Sequence, residues 1–190
     1  MRAFVAIEVP PAGSTASYRS SSPEHLTIRF LGEILPDRAP IITDRLTEVA
    51  RQYPPFDLRL EGIGAFPSAR SPRVVWFGVT RGRAEVERLA RAVREALSRE
   101  GSVRPDEPFV PHVTWFRVRT ASDRRAADDL LAGISPVPPS REFRVDRITL
   151  KESVLEGGGA VHRTLAAPPL AGDAATGSEP TRPDTSLRQR

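Results

Sequence analysis

The spacing of apolar and polar residues divides the chain into a series of strands and helices. Apolar residues at helical spacing predict three amphipathic helices, over residues 41–53, 84–99 and 122–131. Short runs rich in β-branched and aromatic residues predict strands, at 2–9, 25–31, 56–66, 73–79, 113–118, 141–155 and 161–165. The predicted fold class is therefore α+β.

The order of these elements repeats between the two halves of the chain. Where the second half has the helix 84–99, the first half has only the Ser- and Gly-containing segment 12–22. A duplicated unit predicts two lobes, with two antiparallel sheets flanking a central cleft. From Gly172 onward the chain is polar, so we expect a bilobal domain over 1–171 and a disordered tail over 172–190.

Each half carries one copy of a His-x-Thr motif on a predicted strand. The copies are His25-Leu26-Thr27 and His112-Val113-Thr114, and they use two of the three histidines in the chain. Because side chains alternate along a strand, the His and Thr of each copy share one face and the apolar residue points into the core. The duplication predicts that the two copies face a common space.

Two histidines that face one space can supply both an acid and a base near neutral pH, since an unperturbed imidazole titrates at about 6.5. Hydroxyl groups of Thr27 and Thr114 on the same face can donate to phosphate oxygens, where negative charge grows in a transition state. These groups suit the cleavage of a phosphodiester. The residues alone leave open which histidine is the acid.

Two residues beyond the motifs are further candidates for substrate contacts. Arg117 lies five residues after His112 and would face the opposite side by strict alternation, so a bulge is needed for it to reach a phosphate. A surface arginine is the alternative. Phe30 holds the matching place after His25 and could stack on a base, although an aromatic residue at the end of a core strand favours a place in the core.

For the two tryptophans and the third histidine, the sequence predicts structural roles and no part in the chemistry. We predict that Trp76 and Trp115 belong to the core. His162 has no threonine two residues later, so we interpret it as a surface histidine. A zinc site needs three or four protein ligands, and Glu24 would point away from the neighbouring histidine, so a metal enzyme is disfavoured.

Composition and charge narrow the class of protein. The absence of cysteine excludes disulfides and a thiol nucleophile. The apolar run 4–7 ends at Glu8, too short for a signal peptide or a membrane span, so we expect a cytoplasmic protein. The net charge is +4, and Lys151 is the only lysine. The excess of arginine over lysine suits phosphate binding, although a GC-rich genome produces the same excess.

Five stretches together resemble the two-histidine (2H) phosphoesterase superfamily, and within it the bacterial and archaeal RNA 2′,3′-cyclic phosphodiesterases, also called 2′-5′ RNA ligases. The stretches are 2–7, 25–33, 64–67 with 72–76, and 109–114. The resemblance implies hydrolysis of 2′,3′-cyclic phosphates on RNA ends to 2′-phosphates, with neither metal nor cofactor. It assigns His25 as general acid and His112 as general base, and favours Arg117 as a phosphate contact. RNA is the implied partner, tRNA fragments among the candidates.

One departure from the family concerns the first lobe. Family members have a helix between the first strand and the first motif, and the segment 10–24 is too short and Ser-rich to form it. We therefore expect an exposed apolar sheet face at 4–7 and 26–28, covered by a second copy of the chain or a partner. Two rival functions stay open: a 2H phosphodiesterase acting on a small cyclic nucleotide, and a catalytically weak module that binds RNA ends.

Overall fold

The computed structural model describes residues 1–11, 24–100, 109–137, 140–157 and 159–172. This part of the chain contains three α-helices, which are α1 (Arg38–Ala50), α2 (Arg83–Ala96) and α3 (Ala121–Leu131). It also contains eight strands, which are β1 (Arg2–Glu8), β2 (His25–Glu33), β3 (Phe56–Ser68), β4 (Ser71–Val79), β5 (His112–Arg117), β6 (Arg141–Val145), β7 (Thr149–Glu156) and β8 (Gly159–Ala166). The α+β class is confirmed.

The strands form one sheet in the order β6-β3-β4-β5-β2-β1-β7-β8, and each neighbouring pair runs antiparallel. The expectation of two separate sheets is therefore replaced by two halves of a single sheet. The halves meet where β2 pairs with β5, through Leu26 and Val113. These two residues are the middle residues of the two His-x-Thr motifs, so the pairing places the motifs side by side.

The sheet is strongly curled, as the connection between β6 and β7 shows. The prediction of one strand over 141–155 is wrong, because β6 pairs with β3 while β7 pairs with β1. In a flat sheet these strands would lie six spacings apart, about 29 Å. The connection 146–148 can span at most about 14 Å. The sheet must therefore curl until its two halves approach each other.

Helices α1 and α2 pack against the sheet in a single core, to which both halves of the sheet contribute. The predicted stripe of α2 is buried, and the stripe of α1 joins the same core as the inward residues of β1 and β2. The prediction of an open sheet face at residues 4–7 and 26–28 is wrong. Phe4 to Ile7, Leu26 and Ile28 are all buried within the chain itself. The physical reason for expecting self-association through this face is thereby removed.

The ends of the predicted elements shift by a few residues. Helix α3 is capped by Thr120, whose side chain accepts a hydrogen bond from the Asp123 amide, whereas Ser122 was the expected cap. The segment 12–22 and the tail beyond residue 172 lie outside the described residues. Gly172 itself donates a hydrogen bond to the Tyr53 carbonyl. No helix in the described ranges is long and apolar enough to cross a membrane.

Candidate active site

The central strands β2 and β5 bring the two His-x-Thr motifs together. Leu26 and Val113 pair directly and are both fully buried, so the histidine and threonine on either side of each share the opposite face. We call this the site face. Because the strands run antiparallel, His25 lies on the side of Thr114 and Thr27 on the side of His112. All four side chains are half-buried. The structure therefore brings the two motifs together, as the sequence predicts.

A bulge in β5 turns Arg117 toward the site face. Trp76 pairs with Thr114 while Val74 pairs with Arg117, so β5 contains an additional residue between these two pairs. Val74 and Trp76 lie on the same face of β4, and their partners Thr114 and Arg117 therefore share a face as well. The charge of Arg117 accordingly acts on His112 and contributes to lowering its pKa.

The matching bulge in β2 places Phe30 on the site face. Ala6 pairs with Thr27 and Phe4 pairs with Phe30, so the strict alternation is again interrupted after the threonine. The Phe30 side chain is 69% exposed, and its ring centroid lies 6.1 Å from that of Phe4. The preference for a core position was wrong for this residue. Phe30 occupies the place in the first motif that Arg117 occupies in the second.

The His112 ring is held in one neutral form by its backbone contact. Its Nδ1 atom lies 2.8 Å from the Val110 carbonyl oxygen, which can only accept, so Nδ1 carries the proton. The Nε2 atom of the neutral ring is then the basic nitrogen. Burial lowers the pKa of His112, the Val110 hydrogen bond partly opposes this, and the charge of Arg117 lowers it further. His112 is therefore suited to accept a proton near neutral pH.

Two aromatic rings pack around His112. Phe66 lies edge-on with its centroid 4.9 Å away, and Trp76 lies 5.9 Å away. The prediction of Trp76 as core is wrong, because it alternates with the buried Val75 and lies half-buried on the site face. Gly64 makes room for it, since a Cβ atom there would approach the indole ring to 2.3 Å. The core prediction is correct for Trp115, which packs against the core.

His25 lies in a second group of rings, which includes the third histidine. The centroid of the Phe4 ring is 5.0 Å from that of His25, and the His162 ring lies 4.9 Å from both. The interpretation of His162 as a surface residue is wrong. Strand β8 pairs with β7 at the end of the sheet, and the curl of the sheet brings this half-buried ring to the motif.

A charged pair lies beside these rings. Lys151 Nζ is 2.5 Å from Glu8 Oε1 and donates to Thr164 Oγ1 at 2.9 Å. Glu8 is the register partner of His25. The hydrogen bond from Lys151 holds the pKa of Glu8 below its usual range, against the opposing effect of burial. The carboxylate is thus ionised next to the first motif. Sequence reasoning missed this pair, whose only signal was the single lysine of the chain.

The acidic side chains Glu8 and Glu24 beside the first motif form ion pairs. No three His, Cys, Asp or Glu side chains within the described ranges are grouped so that they could hold a metal ion. Glu24, next to His25 in the sequence, pairs with Arg141. The arrangement can bind an anion and move protons.

A curled antiparallel sheet with two adjacent His-x-Thr motifs defines the class of two-histidine phosphoesterases. Residues 13–154 match the model of the 2′-5′ RNA ligase superfamily, and the chain belongs to that superfamily. This confirms the family indicated by the sequence motifs.

Relatives and solved structures agree with this assignment. The chain is 36% identical to an RNA 2′,3′-cyclic phosphodiesterase of Aeropyrum pernix over 141 residues, 74% of this chain and 78% of the relative. It is 35% identical to an RNA 2′,3′-cyclic phosphodiesterase of Archaeoglobus fulgidus over 179 residues, which cover 87% of this chain and 98% of the relative. The crystal structure of TT0787 of Thermus thermophilus superposes with a TM-score of 0.68 at 26% identity, covering 92% of this chain and 100% of that one.

Proposed function

We propose that this protein hydrolyses 2′,3′-cyclic phosphates at RNA ends and leaves a 2′-phosphate. The observation that carries the proposal is the direct pairing of Leu26 with Val113, which presents both histidines and both threonines on one face. The names of the two relatives, RNA 2′,3′-cyclic phosphodiesterase, support the choice of substrate. Residues 1–171 form the domain that carries the activity, and the site of action is the cytoplasm.

His112 is the general base in this proposal. Its Nε2 atom removes a proton from water as the water oxygen attacks the phosphorus atom. The Nδ1–H group stays bonded to the Val110 carbonyl and fixes the ring orientation. The lowered pKa keeps the ring unprotonated over most of the neutral range, which the role requires.

His25 is the general acid on the opposite side of the phosphate. A 2′-phosphate product requires the bond between phosphorus and the ribose 3′ oxygen to break, and His25 gives its proton to that oxygen. Glu8 is the register partner of His25 and lies in an ion pair with Lys151 beside it. The two bonds change in one step, so acid and base act together.

The other site residues bind the substrate around this reaction. Thr27 and Thr114 donate hydrogen bonds to the non-bridging phosphate oxygens, whose charge increases in the transition state. Arg117 adds a positive charge on the same face, and its planar group can donate two hydrogen bonds to one phosphate. The exposed ring of Phe30 is available for stacking by a base of the RNA end.

The proposal is tested with an oligoribonucleotide that ends in a 2′,3′-cyclic phosphate, incubated with the purified protein in EDTA. We expect complete conversion to a 2′-phosphate end and no effect of the chelator, because protein groups supply both proton transfers. A matched oligonucleotide with a linear 3′-phosphate should remain unchanged. Loss of activity in EDTA that one divalent metal restores, or conversion of 2′,3′-cyclic mononucleotides alone, would overturn the proposal.

A further inference from the structure

His162 packs against the proposed acid, yet the reaction described above gives it no task. Its ring centroid lies 4.9 Å from that of His25 with an interplanar angle of 85°, and 4.9 Å from that of Phe4. Its Nδ1 atom is buried and has no hydrogen-bond partner among the described residues. The three rings therefore form one contact group on the site face.

The environment of the other motif histidine shows what such a ring can do. His112 has an edge-on neighbour, Phe66, at 4.9 Å and 83°, nearly the geometry of His162 against His25. Among the described residues, each motif histidine thus packs against two aromatic rings, one of which is perpendicular to it. The perpendicular neighbour of His25 is the imidazole ring of His162, whereas that of His112 is the phenyl ring of Phe66.

The charges around His162 decide which of the two imidazoles carries a proton. His162 is faced by His25 from β2, by the charge of Lys151 from β7 and by the Phe4 ring from β1. Burial lowers the pKa of His162, and the positive charge of Lys151 lowers it further. Two imidazolium rings in contact repel each other, so one of the pair stays neutral. The neutral member is then His162, which lies beside the charge of Lys151.

We propose that His162 is a positioning residue for His25, and that its neutral ring both fixes the orientation of the His25 ring and supports its protonated form. In this arrangement the positive edge of the His25 imidazolium points at the π-face of His162, and the centroid distance of 4.9 Å with an interplanar angle of 85° is that of an edge-to-face contact. A fixed orientation matters because a misplaced acid costs up to about 10²-fold in rate. The inference rests on the proposed role of His25.

The kinetic test compares His162→Phe with His162→Leu. Phenylalanine keeps a flat π-system in contact with His25, while leucine keeps apolar bulk without one. We expect the Phe variant to retain kcat within about twofold, and the Leu variant to lose about 10-fold in kcat at nearly constant KM. Wild-type kcat in the Leu variant would overturn the proposal. So would an equal loss in both variants, which would mean that the ring nitrogens are needed.

A second readout is independent of turnover. Ring-labelled histidine allows the pKa of His25 to be measured by NMR in the absence of RNA, with His112 as the internal reference, since the chain has three histidines. We expect the pKa of His25 to be about half a unit lower in the Leu variant than in the Phe variant. Equal values would overturn the inference while leaving the proposed function intact.

Folding of the variants is checked by thermal unfolding. His162→Gln replaces the Leu variant if the latter does not fold, because glutamine also lacks a ring and suits the polar neighbours Lys151 and Thr164. The expected kinetic and NMR results are the same for the Gln variant as for the Leu variant. An inactive wild-type protein would contradict the proposed function, and the NMR titration of His25 would still test the contact with His162.

Discussion

Replacing either His25 or His112 with alanine is expected to lower turnover of the cyclic-phosphate oligonucleotide by roughly 10²–10⁴-fold, the usual contribution of one general acid or base. Each variant loses one of the two proton transfers of a single step. Steady-state kinetics of both variants and of the double variant measure the loss. Because the two residues act as a unit, the double variant should be little worse than either single variant.

The fold should survive both substitutions, since the neighbouring core residues Leu26 and Val113 remain in place. Circular dichroism and the thermal midpoint serve as controls for this point. Near wild-type turnover in either single variant would show that the histidine concerned is not catalytic, and the two-histidine reaction would be wrong for this protein.

The threonines should produce the second largest effect. Thr27→Val and Thr114→Val keep the side-chain shape and remove the hydroxyl donor. Loss of one donor to a developing oxyanion costs about 10²–10³-fold in kcat at dedicated sites. We expect a loss near or somewhat below the lower end of this range, since Arg117 also compensates the charge. The effect should appear in kcat at least as much as in KM, because the donors act on charge that grows in the transition state.

A matched control is available at the same positions. Thr27→Ser and Thr114→Ser retain the hydroxyl and lose only a methyl group, so they should keep most of the activity. An unchanged kcat/KM in both Val variants would show that these hydroxyls do not contact the phosphate. A loss that is equal in the Ser and Val variants would assign the effect to packing instead of hydrogen bonding.

The sequence predicted the helices, most of the strands and the shared face of each His-x-Thr pair, because local patterns determine them. The stripe of α2 and the alternation around Leu26 and Val113 follow from periodicity within one segment. Such patterns depend on neighbours a few residues away in the chain. For this reason the four motif residues could be named without a structure.

Contacts between distant strands could not be predicted in the same way. The bulges that turn Phe30 and Arg117 toward the site face are defined by pairing with β1 and β4, and alternation within one strand does not reveal them. His162 reaches His25 only because the sheet curls. Trp76 was assigned to the core because an apolar run does not show which of its residues face the core.

The pH dependence of kcat/KM for the cyclic-phosphate oligonucleotide tests the central claim most directly. A neutral base and a protonated acid predict a bell-shaped profile. Burial lowers the pKa of His112, so His112 is unprotonated above this lowered value, and the acidic limb should fall at a pH below about 6.5. The alkaline limb should follow the loss of the proton from His25 as measured by NMR. A rate that is independent of pH, or that keeps rising through the alkaline range, would contradict the account.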